Sequence, residues 1–229
     1  MKFGVVTFPG SNCDEDMIYV LETKLGQHVE RLWHKDTDLK GVDFVVLPGG
    51  FSYGDYLRSG AIAKLSPIME KVIEHAKNGG YVLGVCNGFQ ILTESGLLEG
   101  ALLHNKNQKF ICKNVFLKSG SKETPITKNL DQQKAYKIPI AHGEGRFYAS
   151  DETIKKLQDN DQVLFRYCDE SGEVSREVNP NGSIDNIAGI CNAGRNVFGM
   201  MPHPERAADE ELANVDGTAM LKSLIANCN

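Results

Sequence analysis

Three short apolar runs that end in glycine or proline turns constrain the fold of this chain more than any other feature. Phe3–Thr7 (FGVVT) leads into Pro9-Gly10, Phe44–Leu47 (FVVL) into Pro48-Gly49-Gly50, and Tyr81–Val85 (YVLGV) into Cys86-Asn87-Gly88; a more polar strand is expected at His28–Leu32, between the first two. Runs this short, rich in β-branched residues, read as buried strands. Helical patterns accompany them. Asp14–Leu25 places Met17, Leu21 and Leu25 on one face and stops at Gly26. Ser66 and Pro67 suit an N-cap and a first helical position ahead of Ile68, Val72, Ile73 and Ala76. Gly88–Ser95 reads as a further helix. Strands alternating with helices at this spacing predict a parallel sheet with helices on both faces.

The second half is richer in strands. They are expected at Phe110–Leu117, Tyr136–Ile140, Gln162–Tyr167, Ile187–Cys191 and Val197–Met201, with helices at Asp151–Gln158 and Gly217–Ala226. Lys118–Lys134 and Asp169–Asp185 are polar, turn-rich loops. No linker or repeat divides the sequence, so residues 1–229 read as one domain whose sheet is extended by antiparallel strands.

A chain of 229 residues can bury a core without disulfides. Its net charge of -5, with no basic block, argues against nucleic acid or an anionic membrane as a partner. The apolar part of the N-terminus is too short for a signal peptide, and no apolar run reaches membrane-spanning length. The six cysteines form no CxxC pair, and neither HExxH nor a Cys/His cluster occurs. No metal site is therefore expected, and the thiols read as those of a cytoplasmic protein.

One cysteine is framed differently from the rest. Cys86 sits between a strand and a helix, with Gly84 and Gly88 two residues to either side. That is the pattern of a nucleophile elbow, in which a sharp turn lifts one side chain above the end of the sheet. The next backbone N–H groups then open a helix, whose dipole favours a thiolate and nearby negative charge. An inert buried thiol is the commoner role for a cysteine. Cys112, Cys168, Cys191 and Cys228 are left with that role. Cys13, after a Pro-Gly turn and at a helix start, is less settled.

A cysteine nucleophile needs a base and a group to orient it. Met200–Arg206 (MPHPER following Met200) leaves another strand end, and Pro202 and Pro204 hold His203 in extended backbone. Glu205, two residues on, would share a side of that extended segment and reach the imidazole. A surface histidine beside a solvated glutamate is the plainer reading of His203 alone; the elbow tips the balance. His142, in the glycine-spaced AHGEGRF, could bind a ligand or satisfy a turn. The Leu47–Ala61 loop, with Gly49 and Gly50, could bring one N–H to join that of Asn87 as an oxyanion donor pair. No GxxxxGK[ST] or helix-opening GxGxxG is present, which argues against a phosphate loop.

Together, Gly84-Val85-Cys86-Asn87-Gly88-Phe89-Gln90 and His203-Pro204-Glu205 resemble the class I (triad) glutamine amidotransferases, whose pattern is G-x-C-x-G-x-Q followed much later by H-P-E. The stretches PGSNCDED, PGGFSYGDYLRSGAIA, GVCNGFQIL, NKNQKFICKN, IPIAHGEGRF and GMMPHPER look like the branch of that family serving purine biosynthesis. The likeness spans nearly the whole chain and fades in Lys118–Lys134 and Asp169–Val178. It implies a flavodoxin-like, doubly wound mixed sheet. It implies Cys86, His203 and Glu205 as the triad, the backbone of Gly50 and Asn87 as the oxyanion site, and Gln90, His142 and Gly143 near the bound glutamine. It also implies that the chain needs no cofactor of its own. ATP and magnesium belong to a large synthetase subunit that takes the ammonia and turns formylglycinamide ribonucleotide into formylglycinamidine ribonucleotide, with room for a further small subunit. Rival functions are an amidotransferase subunit for another metabolite, a redox or chaperone protein with the same cysteine elbow, and a catalytically dead binding subunit. The intact H-P-E argues against the last two.

Overall fold

The computed structural model describes residues 1–228. Its elements follow the alternation read from the sequence: β1 (Lys2–Thr7), α1 (Asp14–Tyr19), β2 (His28–Trp33), β3 (Phe44–Leu47), α2 (Pro67–Lys77), β4 (Tyr81–Val85) and α3 (Asn87–Glu94). The second half adds β5 (Ala101–Leu103), β6 (Ile111–Ser119), β7 (Tyr136–His142), β8 (Arg146–Tyr148), α4 (Asp151–Asp159), β9 (Val163–Cys168), β10 (Ile187–Cys191), β11 (Val197–Met200) and α5 (Asp216–Asn227).

Nine strands form one sheet in the order β2-β1-β3-β4-β11-β10-β9-β6-β7. The five from β2 to β11 are mutually parallel, and β10, β9, β6 and β7 continue the sheet antiparallel. This is the flavodoxin-like, doubly wound mixed sheet that the sequence implied. The parallel centre is apolar throughout because it is covered on both faces: every residue of β3 and β11 is buried. No helix among the described residues is long and apolar enough to cross a membrane.

The register places the site. Leu47 of β3 pairs with Gly84 of β4, and Val85 of β4 with Met200 of β11. The segments that leave these three strands, Pro48-Gly49-Gly50, Cys86 and Met201-Pro202-His203, therefore emerge side by side at the carboxyl edge, where ligands of open α/β sheets gather.

Two local expectations are revised, and one pair of strands was not expected. The helix over Asp14–Leu25 is α1 followed by a wider turn, Val20–Lys24, with the Leu25 amide bonded to the Val20 carbonyl five residues back. Ser66 occupies the N-cap of α2 but does not cap it with its side chain; its hydroxyl bonds Tyr53 Oη at 2.8 Å instead. The short pair β5 and β8, which makes a separate two-stranded sheet, falls below the length at which a period of two is readable. By contrast, Ser150 caps α4 fully, its hydroxyl accepting from the Thr153 amide at 3.2 Å. Ser150→Ala should lower stability by about 1 kcal/mol, read as a shift in denaturant midpoint at constant slope.

Candidate active site

Cys86 joins β4 to α3 with φ 50° and ψ −103°. A side chain in such a conformation costs on the order of 1–3 kcal/mol, which the surrounding contacts must hold in place. The Cys86 amide donates to the Met200 carbonyl at 2.8 Å, tying the turn to β11. The flanking glycines have a different cause from the turn itself, for neither has a positive φ. A Cβ on Gly88 would lie 1.9 Å from the Leu47 carbonyl oxygen, and one on Gly84 would lie 2.6 Å from the Gly88 carbonyl carbon. They are small because α3 lies directly on β3 and β4.

Cys86 is buried, yet it lines a cavity of about 160 Å³ that also takes in Gly50, Gln90, His142 and Gly143. That is smaller than the roughly 300–1,000 Å³ of a drug-sized ligand site and suits one amino acid. The thiol donates to the Ala141 carbonyl at 3.6 Å.

His203 follows β11 in extended backbone, and its amide is fixed to the Pro139 carbonyl at 2.9 Å. Its Nδ1 lies 2.7 Å from Glu205 Oε1, both side chains essentially without solvent contact. The pairing was expected, but its backbone route was not. Pro204–Ala207 form a 3₁₀ turn, so Glu205 reaches the ring by folding back rather than along an extended segment. Proline at the first position of that turn removes an amide that would have no partner there. With the carboxylate accepting from Nδ1, Nε2 is left without a partner, as is Glu205 Oε2. Burial favours the neutral ring. The Glu205 carboxylate and the two nearby thiols, Cys86 and Cys13, outweigh it and hold the His203 pKa well above the usual histidine value.

Cys13 is the neighbour that sequence reasoning did not place. It begins α1, and its Sγ, a His203 ring nitrogen and a Glu205 oxygen all lie within 4.8 Å of one another. Burial raises its pKa, with His203 pulling the other way. Its amide and that of Asn12 are bonded to the Gly49 carbonyl, which draws the Pro9–Cys13 turn against the loop after β3. Gly49 has no room for a side chain, since a Cβ there would sit 2.6 Å from His203 Cε1. A sequence signal did exist: Ser11-Asn12-Cys13 follows a glycine turn at a third strand end.

The Gly50 and Asn87 amides form no hydrogen bond with other described residues. Gly50 has φ 143°, and a Cβ there would meet the Asn12 amide nitrogen at 2.6 Å, so only glycine serves. Gln90 points back along α3. Its Nε2 donates to the Glu144 carbonyl at 2.6 Å, and its Oε1 accepts from Asn87 Nδ2 at 2.9 Å. His142 closes β7 rather than lying in a loop. Asp55, Ser59 and Glu144 also line the cavity and were not singled out from the sequence.

The remaining candidates divide. Arg206 is paired within the chain, its Nε 2.9 Å from Asp16 Oδ2. In the Phe51–Arg58 stretch, Tyr53 turns inward to His34 and Ser66, while Phe51, Tyr56 and Leu57 are exposed. Cys168, Cys191 and Cys228 are buried, their thiols pushed up by burial to about 11, 12 and 12. Cys112 is exposed.

Known proteins can be set beside this geometry. A family model described as a CobB/CobQ-like glutamine amidotransferase domain matches residues 1–222. The chain is 57% identical over 222 residues to the phosphoribosylformylglycinamidine synthase subunit PurQ of Synechocystis, covering 97% of this chain and 99% of the relative. It is 52% identical to the same-named subunit of Aquifex aeolicus, covering 99% and 100%. A chain in the structure of PurLQS from Thermotoga maritima superposes with a TM-score of 0.87 at 40% identity, covering 100% of this chain and 99% of that one. A glutamine amidotransferase from Thermotoga maritima, at 18% identity and a TM-score of 0.61, shares the fold. A match that runs through the elbow, the His203 turn and nearly every strand between them leaves one assignment: this chain belongs to the CobB/CobQ-like glutamine amidotransferase family.

Proposed function

We propose that this chain is the glutaminase subunit of a phosphoribosylformylglycinamidine synthase. It hydrolyses glutamine to glutamate and ammonia and passes the ammonia to a separate synthetase subunit. The observation that carries the chemistry is the buried His203–Glu205 pair set beside a thiol presented by a left-handed turn. Likeness to PurQ relatives supports the pathway and the partners.

The Cys86 thiolate attacks the side-chain amide carbon of glutamine, and the carbonyl π-pair moves to oxygen. The Gly50 and Asn87 amides, free of other partners, receive that oxyanion. His203 gives its proton to the amide nitrogen, the C–N bond breaks, and ammonia leaves. His203 then takes a proton from water, which attacks the γ-glutamyl thioester and restores the thiol. Glu205 keeps Nδ1 protonated and stabilises the imidazolium. Gln90, His142 and Gly143 line the glutamine cavity. The chemistry needs no metal or nucleotide in this chain. ATP and magnesium act on the synthetase, where formylglycinamide ribonucleotide becomes the amidine, and a further small subunit completes the assembly as the name PurLQS suggests. All of this takes place in the cytoplasm as a single amidotransferase domain.

Ammonia made without a partner is wasted, so hydrolysis should be slow in the isolated chain and quicken on docking. The loop carrying Gly50 favours such gating: Tyr53, Gly54, Asp55 and Leu57 all have positive φ, and Tyr56 and Leu57 are largely exposed. Incubation with diazo-oxo-norleucine should label Cys86, and glutamine turnover should rise when the synthetase subunits are added. Labelling elsewhere would remove the triad assignment; equal turnover with and without partners would remove the gating.

A further inference from the structure

Behind the triad lies a thiol that the chemistry above does not use. Cys13 Sγ, a ring nitrogen of His203 and a Glu205 oxygen lie within 4.8 Å of one another, and each of the three residues is only 2% exposed. Cys13 comes from one end of the sequence and the other two from its opposite end, so no ligand spacing reveals the group. The Cβ position of Gly49 lies 3.1 Å from Cys13 Sγ and 3.2 Å from His203 Nδ1, so the sulfur and that nitrogen flank the same point. Glu205 carries a second, independent sign. Its Oε1 lies on Nδ1, but its Oε2 is buried with no partner. A bare carboxylate oxygen away from water is costly, and the triad gives it no task. It calls for a cation or a proton donor. Arg206, beside it, does not serve, because its guanidinium is already bonded to Asp16 at 2.9 Å.

Thiolate, imidazole and carboxylate are the donors that bind zinc, at about 2.3, 2.0–2.1 and 2.0–2.2 Å. Tetrahedral angles at those lengths place the ligand atoms roughly 3.4–3.6 Å apart. The 2.7 Å between Nδ1 and Glu205 Oε1 and the 4.8 Å limit on every pair bracket that spacing. Side-chain shifts of about 1 Å therefore close the site. One thiolate, one carboxylate and a neutral ring balance the charge of one divalent ion. A cavity of about 200 Å³, lined by Cys13 and His203, supplies the way in and room for water as the fourth ligand. Magnesium and calcium prefer all-oxygen sets, so a sulfur and a nitrogen select against them.

We propose that Cys13, Nδ1 of His203 and Glu205 form an inhibitory site for a thiophilic divalent cation, zinc above all. Binding forms S–Zn, N–Zn and O–Zn bonds and breaks the hydrogen bond between Nδ1 and Glu205. The Cys13 thiol proton and the Nδ1 proton pass to water, and no atom changes oxidation state. The metal-held ring keeps its proton on Nε2. It cannot accept another, and it could give that one up only by becoming an imidazolate. Neither the departure of ammonia nor the attack of water on the thioester then has its proton transfer. Cys86 is not a ligand; it is left without its base.

The test titrates Cd²⁺ into the full chain carrying Cys86→Ala and follows the ultraviolet charge-transfer absorption of a cadmium thiolate. Cys112→Ser is included throughout, since that exposed thiol would also take cadmium. One Cd²⁺ per chain should bind, Zn²⁺ should displace it, and adding Cys13→Ala should remove the band. In the second arm, glutamate release is measured with the synthetase partners present. Zn²⁺ should inhibit the parent, and EDTA should restore it. Inhibition should weaken by about 100-fold or more in both Cys13→Ser and Cys13→Ala, each compared with its own metal-free rate, because even the outer partners of metal ligands are worth about 10- to 100-fold. A band that survives the loss of Cys13, or equal zinc sensitivity in all three proteins, overturns the site. So does a band that needs Cys86, which would put the metal on the nucleophile. The cadmium arm reads binding alone, so it stands or falls separately from the glutaminase reading.

Discussion

Cys86→Ala removes glutamine hydrolysis, with an expected fall in kcat of roughly 10⁴- to 10⁶-fold, the scale seen when a triad loses its nucleophile. No other group stands in for it. Cys13 lies against the same imidazole, but it lines a different cavity, of about 200 Å³, on the His203 side. The fold should not suffer, because Cys86 is held at φ 50°, where any side chain is strained. Cys86→Gly should therefore be inactive and at least as stable as the parent, by up to about 1 kcal/mol. Ammonia release and denaturant midpoints, measured on the same preparations, separate the two effects. Turnover by the alanine variant within tenfold of the parent would mean that another residue attacks the amide. Glu205→Gln should fall between the extremes, losing roughly 10²- to 10⁴-fold, because a neutral amide no longer stabilises the imidazolium formed during the reaction.

The second large effect lies two residues away and concerns folding rather than chemistry. Gly88→Ala places a methyl 1.9 Å from the Leu47 carbonyl oxygen. That oxygen belongs to a central strand buried along its whole length, so neither backbone can yield without breaking the parallel ladder. The expected loss is about 3 kcal/mol or more, enough to lower the thermal midpoint by roughly 10 °C in a chain of this size. Gly96→Ala is the matched control. No atom lies within 4 Å of its Cβ position, and only its φ of +74° resists, so about 1 kcal/mol is expected. Equal midpoints for the two variants would show that α3 does not rest on β3 as closely as described.

The residues that spoke most plainly in the sequence were those whose roles are set by neighbours in the chain. Strand ends, the glycine frame of Cys86 and the prolines around His203 are local devices, and each sits where it was read. What could not be read depends on contacts between distant segments. Cys13 meets His203 only because the turn after β1 is bonded to the loop after β3. Ser66 has the sequence of a cap, but Tyr53 from that same distant loop claims its hydroxyl. Glu205 was assigned its partner correctly through the wrong backbone, since two prolines are as compatible with a 3₁₀ turn as with extended chain. Asp55 and Glu144 passed unnoticed because an acid in a glycine-rich loop looks like solvated surface until the fold encloses it.

The pairing of Val85 with Met200 joins segments with about half the polypeptide between them. During synthesis, therefore, the thiol leaves the ribosome long before the imidazole does. Until the final parallel strand slots in beside β4, the sulfur has neither its base nor the Met200 carbonyl that anchors its turn. The reactive centre is among the last features to be assembled, and an unfinished or misfolded copy is chemically silent.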